Sequence, residues 1–84
     1  MALAASRIWH EVEHQLGYDR DRSSPQCVLA LRMGAVREAQ AAVAAGEVGA
    51  YPALRQSLID LASIAAHCAE EMDRERLRVP HAAV

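Results

Sequence analysis

Residues 52–72 read PALRQSLIDLASIAAHCAEEM, and this stretch decides the fold. Leu54, Leu58, Leu61, Ala65, Cys68 and Met72 recur at alternating steps of four and three. That spacing belongs to a helix packed along a coiled-coil-like seam. Ile59, Ala62, Ile64, Ala66 and Ala69 widen the apolar surface around much of the same helix. A helix apolar over so wide an arc is covered on more than one side. Pro52 suits a first turn, where its missing N–H removes no helix bond. Val79-Pro80 breaks the pattern, so the third helix is expected over 52–78, with a tail at 79–84.

The rest of the chain follows from this helix. Gly46–Ala50 is a turn, and before it Val28, Leu29, Leu31, Ala35, Val36, Ala39, Ala42 and Val43 line a second helix over 25–45. Ser24-Pro25 is a helix start, with Ser as the cap and Pro in the first turn. Ile8, Trp9, Val12 and Leu16 share one face of a first helix over 3–16, and Gly17 is read as its stop. β-Branched residues never alternate over a useful length, so no strand is expected. The expectation is one all-α domain over 1–84. It is an antiparallel three-helix domain with a long helical hairpin as its core, oligomerising through the third helix.

Composition supports the oligomer. Hydrophobic residues make up 52 % of the chain, but eighteen of them are Ala, Phe is absent and there is one Trp. Ala favours helix but buries little area per residue. A chain of 84 residues is marginal as a lone domain. Close helix packing and self-association are the expected remedies. A net charge of −2 argues against nucleic acid or an anionic membrane as partner. The chain holds no apolar run of the ~20 residues a membrane span needs, and Met1–Ala5 is too short for a signal peptide. The reading is cytoplasmic, in a bacterial or phage-infected cell. Cys27 and Cys68 are near enough in the hairpin for a disulfide, though reduced, buried thiols suit a cytosolic protein better.

Three constellations bear on chemistry. His10-Glu11-Val12-Glu13-His14 has the H-E-x-x-H spacing, which sets two imidazoles on one helix face. No strand and no selected third ligand accompany it, so it is read as a solvated helix face rather than a peptidase. Asp60, Ser63 and His67 lie on one side of the third helix and are read as a polar stripe. Arg7, Arg20 and Arg22 with Tyr18 could contact phosphates near the charged loop at 18–24, but that loop is read as solvated. Glu38 and Asp60 are the sharper pair. Between Ser23 and Ala69 only Glu47, in the turn, shares their charge. They stand nearly equidistant from the turn, so a folded hairpin sets them at one height, the beginning of a Mg²⁺ site. His67 joins them as a candidate ligand-binding residue.

Leu29–Ala45 followed by Leu54–Met72 resembles the paired core helices of the MazG-like all-α nucleotide pyrophosphohydrolases, particularly the short phage-borne forms. Leu54 to Ala66 is similar to that family's second metal-binding helix, whose usual form is L-R-x-E-L-x-D-x-A-x-x-A. Residues 8–13 are similar to its opening helix. The family carries E-E-x-x-E on one metal helix and E-x-x-D on the next, and these carboxylates hold the Mg²⁺ that orients the attacking water. By this resemblance Glu38 matches the last Glu of the first motif and Asp60 the Asp of the second. Gly34, Ala35 and Ser57 stand where the other three carboxylates belong.

The resemblance therefore implies a catalytically degenerate MazG-like protein, a dimer or tetramer, with no catalytic residue. Glu38 and Asp60 would hold Mg²⁺ weakly or not at all, and the groove would take a nucleotide or nucleotide-like ligand. A second expectation is a small helical interaction or inhibitor module that docks on a host protein. A third is an active Mg²⁺-dependent pyrophosphohydrolase completed across an oligomer interface by Glu11, Glu13, Glu70 or Glu71.

Overall fold

The computed structural model describes residues 2–21 and 24–78, with side chains for 7–21 and 24–77. Arg22, the Val79-Pro80 stop, the tail at 79–84 and His81 lie outside the described residues. Three helices follow one another: α1 (Ala2–Asp19), α2 (Pro25–Ala44) and α3 (Ala50–Arg78). The described residues hold no strand. None of these helices is long and apolar enough to cross a membrane.

Helix ends obey local chemistry with three departures from expectation. Gly17 does not stop α1, which runs on to Asp19 and closes through Arg20 N–H to Leu16 O at 3.0 Å. α3 starts at Ala50, two residues before Pro52. Pro52 is tolerated because N–H groups of a first turn have no intrahelical acceptor. Pro25 opens α2, but the Ser24 side chain makes no capping bond. At the other end of α2, Gly46 N–H donates to Val43 O at 3.0 Å and Glu47 N–H to Ala42 O at 3.1 Å. This paired closure needs a left-handed residue, and Gly46 supplies it at φ 71°.

α3 is the central element and packs against both α1 and α2. Val12 and Leu16 of α1, Val36 of α2 and Ala50, Ile59, Ile64 and Cys68 of α3 are buried. Ile8 and Trp9, expected beside Val12 in the core, are exposed. The seam read from the sequence also divides. Leu54 and Leu61 are half-buried and Cys68 is buried, whereas Leu58, Ala65 and Met72 are exposed. Each set repeats every seven residues, so each forms its own line along the helix. One line is covered within this chain and the other is not.

Glycine positions give opposite stability signs. A Cβ at Gly17 or Gly34 meets nothing within 4 Å, and both sit inside helices. Gly17→Ala and Gly34→Ala should each stabilise by about 0.5–1 kcal/mol. Gly46→Ala should destabilise by about 1 kcal/mol, because L-residues disfavour its positive φ. Urea midpoints for the three variants check the signs.

Candidate functional site

The polar centre of the molecule is a charge pair that joins all three helices. Asp19 closes α1, where a carboxylate meets the negative end of the helix dipole and is disfavoured. Arg32 offsets that cost. Its Nη1 donates to Asp19 Oδ2 at 2.7 Å and its Nη2 to Asp19 Oδ1 at 2.8 Å. The same Nη1 donates to the main-chain oxygen of Asp60 on α3 at 2.8 Å. Ser63 Oγ, also on α3, donates to Asp19 Oδ2, and Gln15 Nε2 adds a bond to Oδ1 at 3.3 Å. The Asp19 side chain is fully buried and that of Arg32 is 14 % exposed. Burial alone pushes the Asp19 carboxyl up. The bonds from Arg32, Ser63 and Gln15, with the Arg32 charge, outweigh it, and the net direction is down.

Two bidentate ion pairs hold α1 to α3 on either side of this centre. Arg55 donates to both oxygens of Glu11 at 2.9 and 2.5 Å. Arg20 donates to both oxygens of Glu70 at 3.1 and 2.8 Å. The pairings Glu11–Arg55, Asp19–Ser63 and Arg20–Glu70 advance together along both helices, so α1 and α3 run in the same direction. Hydrogen bonding from Arg55 holds Glu11 below the ordinary carboxylate range, and Arg20 does the same for Glu70. All four side chains are partly solvated, so they fix register more than they add stability.

Ser63 and His67, two members of the polar stripe, do not face solvent. Both are buried on α3, Ser63 under Asp19. His67 Nδ1 has no hydrogen-bond partner, and the nearest carboxylate oxygen, Glu70 Oε1, is 3.8 Å away. Asp60 is half-buried. Its carboxylate accepts from Gln56 Nε2 at 2.9 Å and its carbonyl from Arg32. Glu38 follows the buried Val36 by two residues, roughly 200° round the helix, and is exposed. It therefore lies away from the buried face of α2, while Asp60 lies by Arg32. Cys27 and Cys68 are free thiols, the first exposed and the second buried, where burial and then Glu71 push the thiol up.

His10 and His14 are exposed, as a solvated face requires, but they also border α3. With Glu11, Gln15, Gln56 and Ile59 they line a groove of about 380 Å³ between the two helices. Among the described residues, no group of three or more His, Cys, Asp or Glu side chains is placed to hold a metal ion.

Sequence reasoning passed over Asp19, Arg32 and their link through Ser63. A signal was present. Arg32 stands on the stripe of α2 defined by Leu29, Val36 and Val43, where an unpaired charge would be costly. Compared with family models, curated proteins and solved structures, the chain matches none of them.

The buried pair makes two predictions. Asp19→Asn leaves the Arg32 charge uncompensated and should cost about 3–5 kcal/mol, whereas Asp19→Leu with Arg32→Met should recover much of the loss. The Asp19 value is depressed in the fold, so its contribution is complete at neutral pH. It is lost as pH falls below the ordinary 3.8 and through the lowered folded value. The stability gap between the natural protein and Asp19→Asn should therefore close in acid, which urea titrations from neutral to low pH will show.

Proposed function

We propose that this chain is a small helical interaction module whose first partner is a second copy of itself, docked along α3. The carrying observation is the uncovered line Leu58, Ala62, Ala65, Ala69 and Met72, with steps of four and three throughout. Leu58 and Met72 are 47 % and 66 % exposed. A regular apolar line left open on the helix against which both others pack is the mark of an interface. The order of the line suits a second copy. Large residues flank three alanines, so in an antiparallel pairing each Leu58 or Met72 can lie over a partner's alanine.

In this reading the hairpin of α2 and α3 is antiparallel and the dimer adds a further α3 to it. What the MazG-like resemblance contributes is the scaffold and the habit of pairing, without the hydrolysis. Gly34, Ala35 and Ser57 supply no carboxylate, Glu38 is exposed, and the Asp60 carboxylate is engaged by Gln56. Any wider partner would meet the same apolar line.

Light scattering at micromolar concentration should give the mass of two chains or more. Ala65→Glu, placed mid-line on an exposed position, should reduce it to one chain with helicity unchanged. A natural protein that runs as one chain would refute the reading. Hydrolysis of nucleoside triphosphates with Mg²⁺ or Mn²⁺ should stay at background.

A further inference from the structure

The groove between α1 and α3 carries chemistry that neither the buried network nor the α3 face uses. We propose that His10 and His14 form a two-imidazole chelate for a divalent transition-metal ion, Cu²⁺ in preference to Zn²⁺, at the mouth of this groove. The two residues are one helical turn apart within Ala2–Asp19, so their side chains are neighbours on the surface. Both line the same groove, which leaves room for the ion's remaining positions to be filled by water.

Three features prepare the pair. The His14 ring meets the edge of Tyr18, with centroids 5.4 Å apart and planes at 80°, so its orientation is restricted. The Glu11–Arg55 pair fixes the backbone of α1 against α3 at this level, so binding need not order the helix. That same pair engages both Glu11 oxygens with Arg55, which makes the adjacent carboxylate a weaker ligand. The donor set is then two nitrogens and water, which suits borderline metals and not Mg²⁺, an ion that needs oxygen. Gln15 and Gln56 also line the groove, and each donates from its amide nitrogen to a carboxylate, Asp19 and Asp60 respectively.

The order of affinity follows from the same donors. For nitrogen ligands Cu²⁺ binds more tightly than Zn²⁺. With only two protein ligands the site keeps exchangeable positions, unlike a closed structural zinc site.

The test uses the full chain with Cys27→Ser, which removes the exposed competing thiol. Cu²⁺ and Zn²⁺ are titrated separately by calorimetry, with Mg²⁺ as the hard-ion arm. Electron paramagnetic resonance of the Cu²⁺ form reads the equatorial nitrogens. The expected result is one ion per chain, Cu²⁺ tighter than Zn²⁺, and no binding of Mg²⁺ at this site. His10→Ala and His14→Gln should each weaken Cu²⁺ binding at least tenfold and remove one nitrogen from the spectrum. Both positions are exposed, and circular dichroism should show the helices intact. Binding unchanged in either variant, or binding abolished by Cys27→Ser alone, overturns the proposal.

Discussion

The contact between Asp19 and Arg32 governs how three Ala-rich helices become one structure. Arg32 spans from the end of α1 to the main chain of α3, and Ser63 returns from α3 to the same carboxylate. Hydrogen bonds are directional, so this cluster fixes both the rotation and the axial position of each helix. Apolar contact among alanines specifies neither well, because one small side chain replaces another with little change in area. A buried ion pair adds little net stability beside an apolar replacement. Its value here is in selecting one arrangement, and the hydrogen bonds to Ser63, Gln15 and the Asp60 carbonyl are what make its burial tolerable.

The cluster also accounts for the length of α1. Gly17 has low helix propensity and reads as a stop. The helix nonetheless continues for two residues, which brings Asp19 within reach of Arg32. The Glu11–Arg55 and Arg20–Glu70 pairs then hold the same register at exposed positions. Charged residues thus align α1 on α3, while Val12, Leu16, Ile59 and Ile64 supply the apolar contact.

Periodicity made the helices legible. Pro25 and Gly46 marked the limits of α2, and the steps of four and three identified α3. What periodicity does not encode is which arc of a helix meets which neighbour. Leu54, Leu58 and Leu61 look equivalent along the seam, yet Leu58 is exposed because α1 covers the side that carries Ile59 and Ser63. Buried polar groups were harder still. Asp19 reads as part of a charged loop and Ser63 as part of a polar stripe, because each finds its partner 44 residues away. Arg32 was the one residue whose position on an apolar stripe pointed to a hidden partner.

This division of α3 bears directly on function. One side of the helix is spent on α1 and carries most of the polar contacts. Another is spent on α2. Asp60 and His67, the residues of α3 with the most chemical promise, sit within these two contacts, where one is hydrogen-bonded and the other buried. A ligand could reach His67 only if its surroundings opened, because its side chain is buried. The surfaces that need no such rearrangement are the apolar line from Leu58 to Met72 and the imidazole-lined groove beside α1. One offers apolar area and the other a pair of imidazoles, so they are physically independent. The fold therefore places its polar centre in the service of architecture and leaves recognition to what α3 and α1 present outward.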